Sequence, residues 1–157
     1  MRDLPLIRSV YSEIDAQFEA ARIEATGRRD MLAIERIERK QRVNDQAYFV
    51  LCWGQLETAI DEKCRSAIRT RRSDVNWAVR RGWDIYNPEE DRISGLRFEE
   101  RTALVLDRSS GRGSPWARVM SHYSLRNQIA HGTLLAQRID LDAVTQEFFQ
   151  IQGELKE

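Results

Sequence analysis

The sequence predicts an all-α fold, an antiparallel helical bundle of four or five main helices with an irregular insertion between two of them. Apolar residues recur at steps of three and four through several long stretches, and the one β-tolerant stretch has no partner strand. Only 8 glycines and 3 prolines interrupt the chain, and 32% of it is charged against 41% hydrophobic, a balance that suits helices with one wet face. The 157 residues suit one domain, residues 1–157, able to bury a core without disulfide or metal.

Residues 4 to 26 place Leu4, Ile7, Val10 or Tyr11, Ile14, Phe18, Ala21 and Ala25 at helical spacing, and Gly27 follows as a stop. A second helical region covers residues 31 to 70, with Asn44 or Asp45 as a break near its middle. In its second half Phe49, Cys52, Leu56, Ile60, Cys64 and Ala67 form one apolar face, the expected central core. Residues 73 to 95 mix aromatics, charges, an Asn-Pro pair and glycines, which predicts a short helix and then an irregular connection. Helical pattern resumes in "LRFEERTALVLDRS", and "SGRGS" marks a loop. Ser114 then N-caps a helix that has Pro115 at its first position, where a missing N–H is harmless. Beyond that helix "TLLAQRI" is β-tolerant but unpaired, and Asp140 caps a last helix with the stripe Leu141, Val144, Phe148 and Ile151.

Lysine plus arginine and aspartate plus glutamate both number 25, so there is no global pull towards nucleic acid or membrane and any electrostatic site is local. Cys52 and Cys64 have neither a metal-ligand spacing nor a secreted disulfide pattern, and read as reduced core residues. The first residues hold no apolar run of signal-peptide length, and "AYFVLCW" is far short of a membrane span. A cytoplasmic protein with no membrane partner is the expectation.

Chemistry concentrates in "LRNQIAHG", residues 125 to 132. Trp116, Met120 or Val119, Tyr123, Asn127 and Ala130 or His131 follow one side of the helix, whose apolar stripe therefore turns polar at its end. Asn127 and His131 stack four apart, Arg126 reaches the same place with its long side chain, and Gly132 can take the left-handed conformation that lets the chain leave sharply. Histidine exchanges protons near neutral pH and arginine is a permanent planar cation, so the trio can supply proton transfer and phosphate-charge stabilisation. The plainer reading has His131 against the helix dipole, Arg126 solvated and Asn127 bonded to backbone.

The order arginine, asparagine, three residues, histidine, glycine at the end of a late helix resembles the HEPN superfamily, whose signature is an arginine followed four to six residues later by histidine. "YFVLCWGQLETAIDEKCR", with its Leu-Glu pair, resembles the core helix of that superfamily, and "RFEERTALVLD" the helix before the motif in stand-alone bacterial members. The resemblance covers roughly residues 45 to 152. It implies a metal-independent endoribonuclease with no cofactor, acting on RNA as a homodimer in a toxin, antiphage or stress-response setting, with an antitoxin protein as a further candidate partner. Arg126 and His131 match the signature, and Asn127 the polar residue after the arginine. The implied products are 2′,3′-cyclic phosphate and 5′-hydroxyl ends. The alternative is a non-catalytic helical module of the same superfamily that binds nucleotide or a protein partner.

Glu57 sits in the stripe Val50, Trp53, Glu57, Ile60 and Cys64, where an unpaired buried charge would be costly. By resemblance an acidic residue of this core helix lies near the motif, with Arg126 or Asn127 its natural partner; at the edge of the buried face it would instead reach solvent. Between Glu62 and Gly82 seven basic residues, Arg69, Arg71, Arg72, Arg80 and Arg81 among them, outnumber two acids and interleave with Trp77, a pattern that can track RNA and stack bases. Residues 84 to 100 carry six acids, Asp84, Glu89, Glu90, Asp91, Glu99 and Glu100, against Arg92 and Arg97, and can neutralise that patch. His122 reads as a surface residue, and "RRDMLAIERIERKQR" as a solvated or partner-facing helix.

Overall fold

The computed structural model describes residues 1–89, 93 and 95–156. Among them the fold is all-α, without strands: α1 (Leu4–Gly27), α2 (Met31–Arg72), α3 (Trp77–Arg80), α4 (Phe98–Ala103), α5 (Pro115–Ala130) and α6 (Leu141–Glu154). Four helices are long; α3 lies in the irregular connection expected at residues 73 to 95, and α4 is a short helix where the helical pattern resumes. None of the helices is long and apolar enough to cross a membrane. The chain divides into two compact units, one of Met1–Gln55 and Tyr123–Phe149, the other of Leu56–His122 and Gln150–Glu157.

In the first unit α1 and α2 form an antiparallel hairpin whose register can be read from its side-chain pairs. The Asp3 N–H donates to Gln55 at 3.1 Å, the Tyr11 ring lies 5.5 Å from that of Tyr48, and Gln41 donates to Asp15 at 3.2 Å, so each step forward on α1 is a step back on α2. Tyr11 is buried and Val10 exposed, which settles the alternative left open by spacing. Phe49 and Trp53 of α2 meet Phe148 of α6 at 6.4 and 6.2 Å between ring centroids. Each such buried side chain contributes about 1.5–3 kcal/mol.

The turn after α1 differs from the expected glycine stop. Asp30 N–H bonds to Ala25 O and Arg29 N–H to Thr26 O, the paired bonds of a Schellman motif, and the left-handed residue is Arg29 at φ 56°, not Gly27. A side chain in that conformation is strained where glycine is not. Arg29→Gly is therefore expected to stabilise the protein by about 0.5–1 kcal/mol, read as a raised urea midpoint with an unchanged slope.

Nor does α2 break at Asn44 or Asp45; it runs uninterrupted from Met31 to Arg72. An aspartate disfavours a helix interior when its carboxylate competes for nearby backbone. Here the Asp45 carboxylate is fully buried and engaged elsewhere, accepting from Tyr11 Oη at 2.9 Å, from both Nε and Nη2 of Arg138 at 2.9 Å, and from Ile139 N–H at 3.3 Å. Arg138 also reaches Asp15 at 2.5 Å. Burial, then the bond to Asp45 and its charge, push the Tyr11 phenol above its usual pKa. The unfolded chain ionises this tyrosine near pH 10, while the folded chain resists. Stability from Tyr11 is thus complete below about pH 10 and falls as pH rises further towards the folded value. Tyr11→Phe should lower the urea midpoint at pH 8, by about 1 kcal/mol for the lost hydrogen bond, yet lose less stability than wild type between pH 8 and 11.

The second unit is built on the C-terminal half of α2. Leu56, Ile60, Cys64 and Ile68 are buried together with Phe98, Val105, Leu106, Val119 and Ile151. Cys52 in the first unit and Cys64 in the second are free and buried, and burial pushes both thiols up to about 11, so they serve as small apolar packing groups. Helix α4 is shorter than its sequence pattern because Asp107 takes the N–H and hydroxyl of Ser109 at 2.8 and 2.7 Å, forming a local turn in place of another helical turn. The expected caps are present: Ser114 Oγ accepts from Ala117 N–H at 3.2 Å, and Asp140 accepts from Ala143 N–H at 2.9 Å. The stripe Leu141, Val144, Phe148 and Ile151 is buried, and "TLLAQRI" forms no strand.

Candidate functional site

Tyr123 of α5 stacks on Trp53 at 6.0 Å with an interplanar angle of 28° and thereby anchors the end of α5 in the first unit. Arg126 and Asn127 follow Tyr123 by three and four residues, so the anchored face carries them. The Arg126 Nη1 donates to Asn127 Oδ1 at 3.1 Å, while the Asn127 carbonyl accepts from His131 N–H at 3.0 Å. Asn127 thus links the arginine side chain to the backbone of the histidine. Arg126 is partly buried, and its Nε is enclosed without a hydrogen-bond partner among the described residues.

The helix ends at His131 through a second Schellman motif. Gly132 N–H bonds to Ile129 O at 2.9 Å and Thr133 N–H to Gln128 O at 3.1 Å, with Gly132 left-handed at φ 85°. This is the glycine position the sequence predicts, and here glycine removes the strain that Arg29 bears at the other turn. His131 is exposed at the helix end. The end of α5 therefore offers a guanidinium held by a neighbouring amide and an imidazole open to solvent.

Glu57 is about a third exposed and is held by Arg101 of α4 at 3.5 Å, a partner that spacing did not suggest. Arg101 also takes Asp61 at 3.0 Å and is itself only 13% exposed. Burial raises the Asp61 pKa, opposed by the Arg101 charge. The sequence signal was present in Glu57 and Asp61, two carboxylates four apart on one helix face that require a cation between them. Arg138 was likewise missed, and no local spacing relates it to Asp45, 93 residues away.

Of the five arginines expected to contact RNA, three pair with the acidic segment that follows. Arg69 bonds to Glu89 at 2.8 Å, and Arg72 and Arg80 each lie 3.9 Å from Asp84. Arg71 is exposed, and exposed Arg81 sits over the Trp77 ring at 5.0 Å. Glu90, Asp91 and Arg92 of the counted segment lie outside the described residues. Among the described residues no group of three or more His, Cys, Asp or Glu is placed to hold a metal.

Comparison with protein-family models, curated proteins and solved structures yields no match.

Proposed function

We propose that the chain is a HEPN-like, metal-independent endoribonuclease that cuts RNA as a homodimer in the cytoplasm, in a toxin, antiphage or stress-response role. The observation that carries this reading is the end of α5, where the Arg126–Asn127 pair is fixed side chain to side chain and His131 stands exposed one turn on. His131 of one subunit takes the proton of the ribose 2′-hydroxyl as its oxygen attacks the adjacent phosphorus. The P–O5′ bond breaks, and the partner subunit's His131 returns a proton to the leaving oxygen. Arg126, oriented by Asn127, stabilises the charge that gathers on the phosphoryl oxygens. Two copies are required because one histidine per chain cannot be base and acid in the same step. Exposed Arg71 and the Arg81–Trp77 pair supply backbone and base-stacking contacts to the RNA.

The test is cleavage of a mixed RNA in EDTA, with chemical analysis of the new ends. Cyclic phosphate and 5′-hydroxyl ends support the reading. No cleavage by a folded dimer would reassign the same helix end to a binding module.

A further inference from the structure

The N-terminal half of α2 sorts its polar groups between two different surfaces. Glu38, Gln41 and Arg42 line a cavity with Glu19 and Arg22 of α1. Arg36, Arg39 and Lys40 instead border a separate groove of about 450 Å³, floored by Phe18 of α1 and by Val43 and Ala47 of α2. All three cations are exposed, none makes an ion pair or hydrogen bond among the described residues, and no acid lines the groove. Val43 is 51% exposed, and Asn44 beside it has its Nδ2 enclosed without an acceptor among the described residues. Three like charges within five residues repel one another along a helix, and an apolar floor open to water is itself unfavourable.

We propose that this groove docks an acidic amphipathic helix of a partner protein. An apolar side chain of the partner lies on Phe18, Val43 and Ala47, and its carboxylates, one turn away, face Arg36, Arg39 and Lys40. The spacing selects a helix: the cations fall at positions i, i+3 and i+4 of one turn and the apolar residues on the following turns, a pattern that a second helix repeats at the same pitch of about 5.4 Å. Charge complementarity selects an acidic one. A second copy of this face is a poor occupant, because a twofold contact would set cations against cations with no acid between them. The apolar floor disfavours a phosphate backbone, which needs a wet, polar surface. This docking surface is independent of the chemistry assigned to Arg126 and His131.

The experiment is fluorescence anisotropy on the full chain with a labelled, designed helical peptide that carries glutamates at i, i+3 and i+4 and leucines on the next turn. A charge-reversed lysine peptide, decanoate and a short single-stranded RNA complete the set. The acidic peptide is expected to bind, more weakly at higher salt, and to lose about tenfold or more in affinity both in Arg36→Glu/Lys40→Glu and in Val43→Asp. These positions are exposed, so the variants should fold as wild type does, which circular dichroism checks. No binding of the acidic peptide, equal binding of the lysine peptide, or affinity unchanged in both variants overturns the proposal. Displacement of the peptide by decanoate or RNA would assign the groove to an amphiphile or to nucleic acid, and overturns it too.

Discussion

His131→Ala is expected to lower RNA cleavage in EDTA by about 10²–10⁴-fold, the usual worth of a positioned proton-transfer group, with the urea midpoint unchanged. The two expectations separate because His131 is exposed at the end of α5: its side chain meets the substrate in the proposed reaction but buries nothing in the fold. Arg126→Ala is expected to lose about 10²–10³-fold through lost charge stabilisation. Its loss includes a structural part, since the guanidinium is partly enclosed and bonded to Asn127. Subunit dilution then distinguishes a shared site from an independent one. When wild type is mixed with excess His131→Ala and allowed to exchange, a reaction that needs both histidines falls with the square of the wild-type fraction. Linear loss would mean that each chain acts alone and would remove the dimeric acid-base scheme, while leaving a role for His131.

What was legible in the sequence was what local spacing determines. The face of Phe49, Cys52, Leu56, Ile60, Cys64 and Ala67 is buried throughout, because a helix brings steps of three and four to one side whatever packs against it. Ser114, Asp140 and Gly132 act where expected because caps are decided within one turn. The sequence reading placed Arg126, Asn127 and His131 together but named no bond between the first two, which the structure shows between adjacent side chains. Missing from that reading were the partners brought by tertiary folding. Arg101 meets Glu57 across 44 residues of chain and Arg138 meets Asp45 across 93, and no period in the sequence relates such positions. The expected break at Asp45 failed for the same reason: local propensity assigns its carboxylate to the backbone, whereas the fold gives it an arginine, a tyrosine and an amide. At Arg29 the failure was different, since a non-glycine residue bears the left-handed turn while a glycine two residues earlier stays helical.

Arg138→Ala should produce the largest loss of stability of any change outside the apolar core, about 3 kcal/mol, in urea unfolding at pH 7. Removing one partner of a buried ion pair leaves the other as an uncompensated charge, which costs about 3–5 kcal/mol. The Asp45 side chain is 0% exposed beneath Arg138, whereas Arg138 at 41% exposed would be solvated if the aspartate were lost. The lower end of the range is the expected value, because Asp45 would keep its bonds from Tyr11 and Ile139 N–H. A double-mutant cycle gives the decisive reading. Asp45→Asn removes the charge that Arg138 neutralises, so adding Arg138→Ala to it should cost much less than Arg138→Ala alone. Additive losses would show that Arg138 stabilises the segment before α6 through packing or through Asp15, and not by neutralising the aspartate inside α2.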